Sequence, residues 1–145
     1  MTEAPTPQQT AEAVATHMVE RDAMVRSLGI TVESVGPGSA VLRMTVDDTM
    51  LNSHGMAHGG LLFILADAAF AYACNAHGRV AVATGCAITF VTAAAAGDVL
   101  TARAAEVSLR GRNGVYDVAV TNRDGDMVAL FRGNSLQMKE TVLPA

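Results

Sequence analysis

Between Leu61 and Cys74 the chain runs fourteen residues with one charged side chain, Asp67. His58-Gly59-Gly60 precedes this run and Asn75-Ala76-His77-Gly78 follows it. The pattern predicts a helix opening near Gly59 and closing near Gly78, roughly five turns long. It is too short and too interrupted for a membrane span, which needs ~20 mostly uncharged residues. A helix apolar on nearly every side must be covered on nearly every side. Whatever the rest of the chain builds has to wrap around it.

The flanking sequence supplies mostly strands. A first helix is expected over Gln8–Leu28, with Val14, Met18, Val25 and Leu28 on one face, Arg21 as an imperfection, and Gly29 as the stop. Ile30–Val35 and Ala40–Val46 read as strands about a Gly36-Pro37-Gly38 turn, and Thr49–Ala57 as a loop. Beyond the central helix, Val80–Val91, Val99–Leu109, Val115–Thr121 and Met127–Met138 read as strands. Gly97-Asp98, Asn113-Gly114 and Asp124-Gly125 mark turns between them. The result is an α+β fold, one domain over residues 1–145 with residues 1–7 as a frayed tail, in which an antiparallel sheet curls around a long central helix.

Composition narrows the function. Half the residues are apolar and 17% are charged, which sets the chain apart from disordered sequences. A net charge of −4 argues against a surface made for nucleic acid. The start, Met1-Thr-Glu-Ala-Pro-Thr-Pro, lacks a secretory signal, and Cys74 and Cys86 read most simply as buried thiols of a reducing compartment, with one disulfide as the alternative. The expectation is a cytoplasmic protein with no membrane partner.

Asp67 carries the strongest chemical signal. Its helical neighbours Phe63, Ile64, Phe70 and Ala71 offer no cation, and desolvating a lone carboxylate costs several kcal/mol. It is either catalytic, or structural as a cap on a nearby loop or the partner of an arginine such as Arg79 or Arg132. His58-Gly59-Gly60 is either a tight entry turn or an oxyanion site, because free N–H groups at a helix N-terminus stabilise negative charge and glycine permits close approach. Asn52, His54 and His58 line the approach to that helix and have the chemistry to orient water or carry protons. A metal site from His54, His58 and Asp67 is disfavoured because no fourth ligand presents itself. His77 reads as a cap favoured by the helix dipole. There is no GxSxG elbow, no phosphate-binding loop, and therefore no implied cofactor.

Taken in order, Leu51-Asn52-Ser53-His54, His58-Gly59-Gly60, Leu65–Tyr72, Gly97-Asp98, Gly114–Asp117 and Leu130–Gly133 resemble the phenylacetate-degradation acyl-CoA thioesterase branch of the hotdog superfamily, over about Leu28–Leu136. The resemblance implies a hotdog fold and hydrolysis of a coenzyme A thioester with an aryl-acetyl group. It also implies a homo-oligomer, a dimer or a dimer of dimers. By matching position, Asp67 is the catalytic carboxylate, the Gly59 N–H polarises the carbonyl, and Asn52 and His58 position water and substrate. Gly60 and Ala68 fall at substrate-binding positions, although Ala68 stands where close relatives often carry threonine. Arg110, Arg112 and Arg132 are candidate anchors for the phosphates of coenzyme A, which is substrate here and not cofactor. Phe63, Phe70 and Tyr72 are candidates for an aryl pocket, with core as the simpler assignment. The competing readings are an acyl-thioester hydratase or dehydratase using His58 with Asp67, and a non-catalytic acyl-CoA-binding module.

Helix geometry adds one expectation of its own. Gly59 and Asp67 are eight residues apart, which is ~12 Å along a helix. One carbonyl cannot meet both, so each site should be shared between two chains.

Overall fold

The computed structural model describes residues 3–145. Helix α1, Pro7–Arg21, opens on a capping box: the Thr6 hydroxyl accepts from the Gln9 N–H at 3.2 Å, and the Thr6 N–H donates to the Gln9 side chain at 2.9 Å. The frayed tail expected over residues 1–7 is thus shorter, because Thr6 and Pro7 belong to the helix start; residues 1 and 2 lie outside the described range. The single helix expected over Gln8–Leu28 is two. Asp22 leaves helical geometry and its carboxylate caps α2, Ala23–Ser27, by accepting from the Val25 N–H at 3.2 Å. Gly29 follows at φ 66°, the left-handed stop expected of it.

Six strands follow: β1 Thr31–Gly36, β2 Ser39–Thr45, β3 Arg79–Phe90, β4 Val99–Arg110, β5 Asn113–Thr121 and β6 Met127–Thr141. They form one antiparallel sheet in the order β1-β2-β4-β5-β6-β3, with β1 and β3 at its edges. The central helix α3, Gly59–Asn75, lies on one face of this sheet. Inward positions alternate along each strand, as Ala40, Leu42 and Met44 on β2 or Tyr116, Val118 and Val120 on β5 illustrate; all six are buried. Close approach of helix and sheet needs Gly133, where an added Cβ would sit 2.8 Å from three ring atoms of Phe70. Among the described residues no helix is long and apolar enough to cross a membrane.

Two features of α3 differ from expectation. The sheet covers only part of it: Gly60, Phe63, Ile64, Asp67 and Ala71 form a stripe that stays partly open, at the i, i+3/i+4, i+7 spacing of one helical face. The stripe lies on the same helix as the buried core residues Leu65, Ala69 and Ala73, so the chain leaves one side of its most apolar helix uncovered. Second, His77 is no simple cap. Its Nε2 meets Glu106 Oε2 at 2.6 Å, and the Tyr116 hydroxyl donates to the same oxygen at 2.7 Å. Burial works to raise the Glu106 carboxyl, but the hydrogen bonds from His77 and Tyr116 hold it below the usual carboxylate range.

The C-terminus of α3 is tied to β3 by Asn75. Its Oδ1 accepts from the Ala81 N–H at 2.9 Å, while its Nδ2 donates to the carbonyls of Ala71 at 2.9 Å and Ala81 at 3.2 Å. Asn75→Ala strands two buried backbone groups of Ala81 and is expected to cost on the order of 2–4 kcal/mol, read from urea or thermal unfolding.

Candidate active site

The site begins in the loop before α3. Leu51 and Ala57 form an isolated bridge, and the Asn52 N–H donates to the Met56 carbonyl at 2.7 Å. Asn52 Oδ1 accepts from the N–H groups of His54 at 2.9 Å and Met56 at 3.2 Å. Asn52 is thus the internal tie of its loop, and its amide nitrogen is the part left for substrate or water. The loop delivers the chain to His58, whose N–H donates to the Met50 carbonyl at 2.8 Å.

His58 is the N-cap of α3: its Nδ1 accepts from the Gly60 N–H at 3.0 Å. That bond commits the Gly60 N–H and leaves Nε2 as the outward ring nitrogen. The Gly59 N–H, by contrast, takes no acceptor among the described residues. It stands at the positive end of a 17-residue helix, the place where a developing oxyanion is best stabilised. Beside it lies a cleft of about 310 Å³, lined by Asn52, Met56, Gly59, Leu62, Phe90 and Val91 among others.

Asp67 is half-buried on the open stripe of α3. Its carboxylate has no ion-pair partner among the described residues, and burial raises its pKa above the ordinary aspartate value. The arginines that would have made it structural are engaged elsewhere: Arg79 donates to the Lys139 carbonyl, and Arg132 grips Asp117 through Nε at 2.7 Å and Nη2 at 2.9 Å. Neither Asp67 nor Ala68 lines the Gly59 cleft; Ala68 sits in the buried core.

Arg132 is therefore bound to a carboxylate on the exposed side of β6, and its partner register, Asp117 opposite Arg132, fixes that pairing. Arg110 and Arg112 stand exposed at the β4–β5 turn and form no ion pair among the described residues. Phe70 and Tyr72 are buried, with Tyr72 donating to Asp22 at 3.4 Å, so both are core. Phe63 is half-buried and packs edge-on against Phe131, ring centroids 5.4 Å apart.

The thiols do not compete for the chemistry. Burial, helped by the nearby Asp67 charge, pushes the Cys74 thiol up to about 12. Cys86 is exposed rather than buried, because β3 is an edge strand, and burial and Asp67 raise its pKa as well. Among the described residues no three His, Cys, Asp or Glu side chains are grouped to hold a metal ion. Phe90 and Val91, which line the cleft, were legible in the sequence only as the end of a strand. An aromatic next to a β-branched residue before a loop was the one available signal.

Residues 54–129 match the family model described as the thioesterase superfamily. The chain belongs to this superfamily. It is 49% identical over 126 residues to the acyl-coenzyme A thioesterase PaaI of Escherichia coli, covering 86% of this chain and 89% of the relative. This thioesterase also superimposes on the structure of the Escherichia coli PaaI protein from the phenylacetic acid degradation operon with a TM-score of 0.92. The two are 46% identical in that comparison, which covers 94% of this chain and 99% of the other. A hypothetical thioesterase protein from Streptococcus pneumoniae, solved with coenzyme A, matches with a TM-score of 0.74 at 28% identity, covering 77% and 90% of the two chains. The hotdog architecture expected from the sequence is the one this thioesterase has, and thioester hydrolysis is its reaction class.

Proposed function

We propose that the enzyme hydrolyses acyl-coenzyme A thioesters, with an aryl-acetyl group such as phenylacetyl as the preferred acyl, in sites shared between two chains. The observation that carries this is the pair of unspent groups on α3. Among the described residues, the Gly59 N–H has no acceptor and the Asp67 carboxylate no ion-pair partner, and the two lie ~12 Å apart on one helix. A second copy placed antiparallel across the open stripe would bring its Asp67 beside this Gly59, and would cover the side of α3 that the sheet leaves bare. The free edge of β3 exposes Val82 and Phe90, and Phe90 shares the lining of one cleft with Gly59. The dimer is the minimum unit, and a dimer of dimers is compatible with it.

In this scheme the Gly59 N–H donates to the thioester carbonyl and holds the oxyanion as it forms. The partner's Asp67 either attacks the carbonyl carbon, forming an anhydride that water then cleaves, or removes a proton from an attacking water. In the first route the C–S bond breaks as the anhydride forms and coenzyme A thiolate leaves, and water then frees the acid. In the second the tetrahedral adduct of water expels the thiolate, so both give the free acid and coenzyme A. Asn52 shapes the loop that carries the donor, and His58 Nε2 faces water or substrate while Nδ1 caps the helix. The commitment of Nδ1 to Gly60 leaves His58 poorly placed as the base of a hydratase.

For the phosphates of coenzyme A, Arg110 and Arg112 are the better anchors and Arg132 the weaker, given its bond to Asp117. The β4–β5 turn lies at the Val82 end of the sheet, since Arg110 opposes Asn113, Asn113 opposes Leu136 and Leu136 opposes Val82. Antiparallel pairing across β3 would carry the partner's turn toward the Phe90 end, where the Gly59 cleft is. A cytoplasmic location is in keeping with two free cysteines.

The test is release of free thiol from a panel of acyl-CoAs, with phenylacetyl-CoA expected among the best substrates. No cofactor enters the scheme, so turnover is expected to survive a strong chelator unchanged. Loss of activity that zinc or manganese restores would overturn that part.

A further inference from the structure

We infer that Phe90 is the residue that sets acyl-group selectivity in the Gly59 cleft, by forming an aromatic wall directly against the oxyanion donor. This rests on the thioesterase site proposed above and goes further by naming what shapes its acyl pocket. A Cβ built on Gly59 would lie 3.0 Å from Phe90 Cζ, with Cε1 at 3.4 Å and Cε2 at 3.5 Å. The tip of the ring therefore rests on the α-carbon whose N–H is the free donor. A side chain at this position would press on the tip of the Phe90 ring and crowd the approach of a substrate.

The backbone under the ring is fixed while the ring itself is not enclosed. Phe90 opposes Ala129 in the last pair of the β3–β6 ladder, and the N–H groups of Val91 at 2.8 Å and Thr92 at 3.3 Å both donate to the Val128 carbonyl. The Phe90 side chain is nevertheless 53% exposed in the single chain. Leu62, Met56 and Val91 add apolar wall, beside the polar side chains of Asn52 and Thr92. A group that binds with its carbonyl on the Gly59 N–H must place the first atoms of its acyl chain past this ring. A flat aryl group gains edge or face contact there, whereas a long aliphatic chain meets an obstruction.

The test compares Phe90→Ala and Phe90→Leu with the natural enzyme on acetyl-, octanoyl- and phenylacetyl-CoA, using kcat/KM for each. The ratio of phenylacetyl-CoA to octanoyl-CoA is expected to fall by about tenfold or more in both variants. A ratio unchanged within twofold, or an equal fall on all three substrates, would overturn the inference, because a purely structural role lowers every substrate alike. Phe90→Leu keeps an apolar side chain at the strand end and so guards against an unfolded Phe90→Ala. A second arm probes the contact itself: Gly59→Ala should lower activity by pushing the ring into the cleft, and adding Phe90→Ala should recover part of the loss. Strictly multiplicative effects would overturn the contact. Absence of thiol release by the natural enzyme on every acyl-CoA is a different result, and would overturn the thioesterase reading instead.

Discussion

Asp67→Asn is expected to lower kcat by roughly a hundred- to ten-thousand-fold while leaving KM for the acyl-CoA within a few-fold. The substitution keeps the shape of the side chain and removes only its charge and basicity. Near-normal turnover by the folded variant would refute the assignment. The same variant is expected to unfold at a higher temperature than the natural enzyme at neutral pH. Within one chain Asp67 has its pKa raised by burial and no ion-pair partner among the described residues to offset the cost of ionising. A carboxyl whose folded pKa lies above the unfolded value contributes stability below the unfolded pKa and loses it as pH rises through the folded one. The gap in Tm between Asn and Asp should therefore be widest at neutral pH and close as the solution becomes acid. Activity should follow the same titration in the opposite sense, rising with pH on an acid limb that sits above the ordinary aspartate range. If Asp67 is the nucleophile, a single turnover in heavy-oxygen water leaves label in its side chain; if it activates water, the label appears only in the released acid.

What could be read in advance followed from locality. Asp67 stood out because every neighbour on its helix is apolar, and His58-Gly59-Gly60 because a helix start and its cap are written in consecutive residues. The strand segments, each bounded by a glycine-containing turn signal, were legible for the same reason. The capping box that shortens the expected tail is local, whereas most other misses depend on contacts between distant parts of the chain. The break at Asp22 is favoured by a carboxylate that caps α2 and also accepts from Tyr72, fifty positions away. His77 looked like a dipole-favoured cap until the fold brought Glu106 to it. Arg132 reads from the sequence as a partner for Asp67 or for a phosphate, because its actual partner, Asp117, is set by the register of β5 against β6. Cys86 looked buried because nothing local marks β3 as an edge. Even the open stripe on α3 has this origin: the pattern said that every face needs covering, but one sheet reaches only some of them.

That uncovered stripe leads to the second large effect, recovery of activity from two dead proteins. Asp67→Ala removes the carboxylate, and Asn52→Ala removes the side chain that accepts from His54 and Met56 and so holds the loop before the Gly59 donor. Each homodimer is expected to be inactive, since both of its sites contain the lesion. A mixed dimer is different. One of its sites joins the two damaged halves, but the other joins an intact Asp67 from the Asn52→Ala chain to an intact Asn52 and Gly59 from the Asp67→Ala chain. With equal mixing and full exchange, half of the dimers are mixed and half of their sites work, so activity should return to roughly a quarter of the natural level. The number separates arrangements sharply, because a site confined within one chain would return nothing at any mixing ratio. Exchange has to be demonstrated in the same sample, for instance with a tag on one chain and its co-elution with the other. If the chains exchange and activity stays at zero, Gly59 and Asp67 do not meet across an interface. Their ~12 Å separation along α3 would then have to be bridged by something other than a second copy.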